Sequence, residues 1–231
     1  MPERLVLSWI PTRRAITSGL VVLTAALAIV VVAARQSSRD ETREEWQKVP
    51  EIVQALGIRS GSSVADVGAG GGFFTLRLAE VVGSAGRVYA VDVAEDDLRR
   101  LRERTTNAGL RQVEVIAGAR DNPRLPDGAI DAVLIVNAYH EMSEHQAMLR
   151  AIRRALKPDG DLVIVEPIVE SRRGGSRARQ ERSHEIEPKY VEGDLRDAGF
   201  DILELRDPFT RRPAGDTEWL IVATPTFVFE R

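Results

Sequence analysis

Two stretches carry side chains whose type and spacing suit chemistry. The first is Asp66-Val67-Gly68-Ala69-Gly70-Gly71-Gly72, followed twenty residues after Gly72 by Asp92. Glycines in such a run let the backbone turn tightly and approach a ligand with no Cβ in the way. An acid that far on, at the end of the next strand, can accept hydrogen bonds from two ribose hydroxyls. Strand, glycine turn, helix and acid together read as a nucleoside-binding unit. The second stretch is Asn137-Ala138-Tyr139-His140-Glu141-Met142. There His140 is a candidate general base, with Glu141 and Tyr139 as its neighbours. An unperturbed imidazole titrates near pH ~6.5 and is largely neutral at pH 7, which suits a base. The alternative is that these residues shape a pocket or cap the next helix. No metal is expected, because the zinc-protease spacing H-E-x-x-H needs His at 144, where Glu144 stands. His184, beside Glu185 and Glu187, is either part of a lid over the pocket or merely exposed.

The elements that must position these residues follow from periodicity and punctuation. Apolar residues at Trp46, Val49, Ile52, Val53 and Leu56 predict a helix that Gly57 ends. Strands are expected at Ser63–Val67, Arg87–Asp92, Val113–Ile116, Ala132–Val136 and Leu162–Val165. Helices are expected at Phe73–Val82, Glu95–Asn107, Ser143–Leu156 and Val191–Ala198. Lys157-Pro158-Asp159-Gly160 reads as a turn. Alternation of this kind makes parallel βαβ units with right-handed crossovers. The fold class is therefore α/β, a mostly parallel central sheet with helices on both faces. The last strands, Ile202–Leu205 and Trp219–Ala223, have no helix between them, so an antiparallel edge strand is expected. The stretch from Glu166 to Pro188 is too long for a bare connection and is a functional candidate. Its five arginines, among them Arg172 and Arg177, suit either solvent or an anionic substrate or headgroup.

Which nucleoside-bearing cofactor is meant can be narrowed. The dinucleotide fingerprint G-x-G-x-x-G, begun at Gly68, needs a third glycine at 73, where Phe73 stands; no Gly-Lys-Ser/Thr of a P-loop occurs. A nicotinamide-dependent dehydrogenase is also disfavoured by the absence of a Tyr-x-x-x-Lys pair, since Ser143 lies four after Tyr139. The run Asp66, Gly68, Gly70, Gly72 resembles the first motif of the Rossmann-like (class I) S-adenosylmethionine-dependent methyltransferases, an acid followed by G-x-G-x-G. The resemblance continues through Val88-Tyr89-Ala90-Val91-Asp92, Ile130-Asp131-Ala132-Val133-Leu134-Ile135 and Leu156-Lys157-Pro158-Asp159-Gly160. It implies a methyltransferase that uses S-adenosyl-L-methionine. By that resemblance Asp66 and the Gly68-Ala69-Gly70 backbone, with Gly72 closing the motif, hold the methionine end. Asp92 binds the ribose, Val93 packs on the adenine, and Asn137 joins the site from the end of strand four, where the family faces its substrate. An acid commonly follows the glycine after strand three; here Gly118 precedes Ala119, and Asp121 comes two further on. Either Asp121 substitutes or backbone groups near Ala119 do that work. Methyl transfer asks mainly for an electron-rich atom held in line with the methyl, and needs a base only if the nucleophile must lose a proton. A non-catalytic S-adenosylmethionine-binding module is the other reading.

The rest of the chain bounds these expectations. Its 231 residues suit one domain plus an appendage. A net charge of −3 argues against bulk attraction to nucleic acid, and no nucleic-acid partner is expected; a small-molecule or lipid acceptor is. Cysteine is absent, which excludes disulfides, thiolate zinc sites and cysteine nucleophiles. Ala15 to Ala34 is a run of twenty residues without charge, ten of them Val, Leu or Ile. As a helix it would be roughly 30 Å long, the thickness of a bilayer's hydrocarbon core. Residues 1–34 therefore read as a membrane anchor or, with Arg13-Arg14 before and Val32-Ala33-Ala34 after, as a cleaved signal segment. Three arginines on either side of the run leave its orientation undecided. Cofactor supply favours a catalytic domain on the cytosolic side. Residues 35–45 read as a linker and 46–231 as the methyltransferase domain.

Overall fold

A computed structural model describes residue 40 and residues 42–213 and 215–226. Residues 1–43 and 44–231 form separate units. In the second, helix α1 (Val49–Ala55) leads into β1 (Ser63–Val67), α2 (Phe73–Val82), β2 (Arg87–Asp92), α3 (Glu95–Asn107), β3 (Val113–Ala117) and β4 (Ile130–Val136). Then come α4 (His145–Ala155), β5 (Leu156–Ile168), α5 (Arg177–Glu181), α6 (Pro188–Asp197), β6 (Phe200–Arg211) and β7 (Thr217–Pro225). The Ala15–Ala34 run lies outside the described residues. Among those described, no helix is long and apolar enough to cross a membrane.

The strands form one seven-stranded sheet in the order β3-β2-β1-β4-β5-β7-β6. β1 to β5 pair in parallel, and β7 pairs antiparallel with both β5 and β6. The expected antiparallel strand is thus β7, one position in from the edge that β6 forms. Five residues join β6 to β7, too few to cross over, so the chain turns straight back on itself. Side chains alternate between two cores. Ala65, Val133, Ile135 and Trp219 pack with α4 and α6 on one face; Val64, Leu134 and Val163 pack with α1 and α2 on the other. Strands buried on both faces need near-continuous apolar runs, which Val133-Leu134-Ile135 and Leu162-Val163-Ile164-Val165 supply.

Two local departures have visible causes. The helix expected from Trp46 breaks at Gln47 and Lys48, where Lys48 adopts a left-handed φ of 52°. Gln47 is drawn inward there, and its Nε2 donates to both oxygens of the buried Glu218 at 3.1 and 3.0 Å. Of the expected linker, Glu44 and Glu45 are helical, and Glu44 pairs with Arg77 at 3.0 Å. The expected turn at Lys157–Gly160 is a bulge within β5, where the register slips between Ile130 and Ala132. A Cβ on Gly160 would come within 3.0 Å of the carbonyl oxygens of Ile130 and Asp131, so glycine is what admits that approach.

Candidate functional site

Strand order reverses between β1 and β4, and the carboxyl ends of the strands meet in a cavity of about 380 Å³. An open α/β sheet binds ligands at this switch point. Val67, Gly68 and Gly70 line it from β1, Asp92 and Val93 from β2, Ala119 and Arg120 from the loop after β3. Asn137, Ala138, Glu141 and Met142 line it from the segment after β4. Gly68, at φ 79°, packs so closely on that segment that a Cβ would stand 2.3 Å from the Ala138 Cβ.

Asp92 is fixed at the mouth by backbone donors. Gly70 N–H reaches its Oδ2 at 2.8 Å, and Val93 and Ala94 N–H reach its Oδ1 at 2.7 and 2.9 Å. A carboxylate offers about four acceptor positions, so capacity remains toward the cavity. Val93 beside it is 60% exposed, an apolar surface at the rim. Asn137, left-handed at φ 53°, donates through Nδ2 to Glu218 at 3.2 Å. Its Oδ1 is buried and has no hydrogen-bond partner among the described residues.

The other expected contacts stand elsewhere. Asp66 is buried beneath the turn and accepts from the Thr75 hydroxyl at 2.6 Å, tying β1 to α2. Ala69 and Gly72 do not line the cavity. A Cβ on Gly72 would meet Leu101 at 2.7 Å, so this glycine serves the packing of α2 against α3. Asp121 is exposed and also off the lining; Arg120 takes the position beside Ala119.

At the far end, the segment after β4 turns around a carboxylate that sequence reasoning did not single out. Glu166 on β5 is fully buried and accepts from the backbone N–H of Ala138 at 2.8 Å and of Tyr139 at 2.6 Å. Its other oxygen lies 2.5 Å from His140 Nδ1. Burial disfavours the charged ring, but the hydrogen bond and charge of Glu166, with Glu141 and Glu181, outweigh it and raise the His140 pKa above its ordinary value. The expectation of an unperturbed, largely neutral imidazole is corrected accordingly. Tyr139 points away from the cavity into the core and donates to Asp194 Oδ2 at 2.7 Å. Burial and the Asp194 charge drive its hydroxyl far above the usual tyrosine range. Glu141 is exposed and lines the cavity. His184 arrives from the insert with its Nδ1 3.4 Å from Glu141 Oε1. Spacing along the chain holds no sign of this approach, nor of Glu218 beneath Asn137.

Known proteins share both sequence and fold. Residues 64–160 match the family described as "Methyltransferase domain". Over 122 residues the chain is 31% identical to the demethylmenaquinone methyltransferase of Listeria monocytogenes, covering 53% of this chain and 51% of that one. Over 129 residues it is 30% identical to the ubiquinone/menaquinone biosynthesis C-methyltransferase of Escherichia fergusonii, covering 54% and 51%. The chain thus spans about half the length of these relatives. A SAM-dependent methyltransferase from Aquifex aeolicus superposes with a TM-score of 0.67 at 27% identity, over 80% of this chain and 96% of that one. With its glycine turn and cavity at the switch point of the same sheet, the domain shares the fold of S-adenosylmethionine-dependent methyltransferases, and residues 64–160 carry the sequence of a methyltransferase domain.

Proposed function

We propose that this domain binds S-adenosylmethionine in the switch-point cavity and transfers its methyl group to a small-molecule or lipid acceptor entering beside Glu141 and Met142. The observation that carries the reading is Asp92, locked by three backbone N–H groups with its carboxylate at the cavity mouth. The cavity's residues fit the cofactor. Asp92 would accept from the ribose hydroxyls and Val93 would pack on the adenine. The Asn137 Oδ1, without a partner among the described residues, would accept from the amino group of the methionine end. When bound, the cofactor supplies an electrophilic methyl on a sulfonium. The chain's own part is to hold the acceptor atom in line and keep water out, which suits a closed apolar wall such as Val67, Val91 and Met148. Asp66 and Gly72 support the turn from beneath. Two relatives are named for quinone substrates, so quinone-type acceptors are the first to test. We also propose that Ala15–Ala34 holds the protein at a membrane; the uncharged run of twenty residues supports this.

Calorimetry should show S-adenosylmethionine binding that Asp92→Ala weakens roughly ten- to hundredfold, since hydrogen bonds to a charged group contribute ~1.5–3 kcal/mol. Incubation with demethylated quinone acceptors should release S-adenosylhomocysteine. Binding without release from any acceptor would leave a cofactor-binding module. Unchanged affinity in Asp92→Ala, or preference for NAD, would remove the reading.

A further inference from the structure

One group of ligating side chains has no part in holding the cofactor. His140, Glu141 and His184 each offer a ligand atom, and these three atoms lie within 4.8 Å of one another. His140 Nε2 is 3.7 Å and His184 Nδ1 3.4 Å from Glu141 Oε1. Metal bonds of about 2.0–2.1 Å in a tetrahedron place neighbouring ligand atoms roughly 3.3–3.4 Å apart, so Glu141 already stands near that spacing from both histidines.

Two carboxylates outside the cluster, Glu166 and Glu185, aim it. Glu166, fully buried and fixed by two backbone N–H groups, holds His140 Nδ1 and leaves Nε2 facing Glu141. A carboxylate behind the imidazole is the usual partner of a metal-ligating histidine. His184 sits at a left-handed φ of 56°, a conformation rare outside glycine, which persists when the surroundings impose it. The surroundings are visible: buried Glu185, the next residue, accepts from Val169 N–H at 2.7 Å and from Arg172 at 2.7 Å, pinning the insert. Glu141 also lines the cofactor cavity, so the cluster stands at the cavity's acceptor end.

We propose that His140, His184 and Glu141 bind a divalent transition-metal ion. Two imidazoles and one carboxylate suit zinc, cobalt, manganese or iron(II), and leave coordination positions for water and one oxygen of the acceptor. His140 then serves as a ligand and not as a free base. The role of the ion in turnover rests on the methyl-transfer reading above; its binding does not. An acceptor hydroxyl bound to the ion loses its proton to solvent. The electron pair left on oxygen forms the new bond to the methyl carbon as the carbon–sulfur bond breaks, and the pair of the broken bond goes to sulfur.

Cobalt(II) is the probe. Titrated into the full chain, it should raise visible d–d absorption that saturates at one ion per chain. His184→Ala, a change at an exposed side chain, should weaken cobalt binding by at least tenfold while S-adenosylmethionine affinity stays the same. Glu166→Gln should cost about 10–100-fold in metal affinity through its hold on His140. No absorption in the wild-type chain, or equal binding in His184→Ala, overturns the site. Cobalt binding in a chain that fails to bind S-adenosylmethionine would instead sink the methyl-transfer reading and leave the metal site standing.

Discussion

Asp66 and Asp92 show how burial divides residues that look alike in sequence. Asp66 is the last residue but one of β1 and Asp92 the last of β2, and the family resemblance gives both to the cofactor. In the folded domain Asp92 opens on the cavity, whereas Asp66 lies inside and braces Thr75. Among the glycines the same division applies. Gly68 combines a φ of 79° with the 2.3 Å approach to Ala138, while Gly71 has no positive φ and open space where a Cβ would stand. Gly68→Ala should therefore destabilise the domain by about 2–4 kcal/mol, from left-handed strain and overpacking together. Gly71→Ala should stay within about 0.5 kcal/mol of the parent, as surface changes do. Urea unfolding of the two variants decides it. Equal midpoints would mean that the close contact of β1 with the segment after β4 carries no energetic weight.

At the scale of elements, the insert between β5 and α6 is held by carboxylates facing inward. Glu187 accepts from Gly174 N–H at 3.2 Å, from Gln180 Nε2 at 3.1 Å and from Lys189 Nζ at 2.5 Å. Burial opposes its charge, but the bonds from Lys189, Gly174 and Gln180 prevail and lower its pKa below the ordinary glutamate value. A carboxylate depressed in the folded state contributes stability above its unfolded pKa, near ~4.3, and loses that contribution as pH falls through its folded value. Hydrogen exchange in residues 174–187, corrected for intrinsic rates, should accordingly rise below about pH 4 ahead of the central strands. Glu187→Gln should exchange faster at neutral pH and lose most of this acid dependence. An acid response as steep in the variant as in the parent would assign the loosening to another group.

The whole molecule joins a domain of common fold to an N-terminal run of different character. Ten Val, Leu and Ile side chains at about −0.3 to −0.6 kcal/mol each favour insertion by roughly 3–6 kcal/mol. Full-length protein should accordingly sediment with membranes and resist carbonate extraction, while a chain lacking residues 1–36 should remain in the supernatant. Intact-mass measurement is the decisive control. A mature N-terminus at Arg35 would show an exported, cleaved protein in place of an anchored one. A membrane location would also bring the cavity to acceptors of low water solubility, such as the quinones named for two relatives.

What the sequence determined by itself is whatever neighbours along the chain decide. The expected and observed bounds of β1, α2, β2 and α3 coincide, because apolar runs there are punctuated by Gly and Asp that end one element and start the next. The glycine turn and Asp92 were legible for the same reason: one βαβ unit of about thirty residues contains both, and its register is local. Tertiary structure alone decided what lies at the other end of the cavity. Glu166 meets His140 across 26 residues and Glu218 meets Asn137 across 81, because β5 lies beside β4 and β7 beside β5. His184 reaches Glu141 only because the insert folds back over that edge. Periodicity reports which face a side chain takes, and strand order reports which faces meet. No spacing along the chain encodes the second, so the glycine turn and Asp92 could be read from the sequence, whereas the partners that His140, Glu141 and Asn137 meet could not.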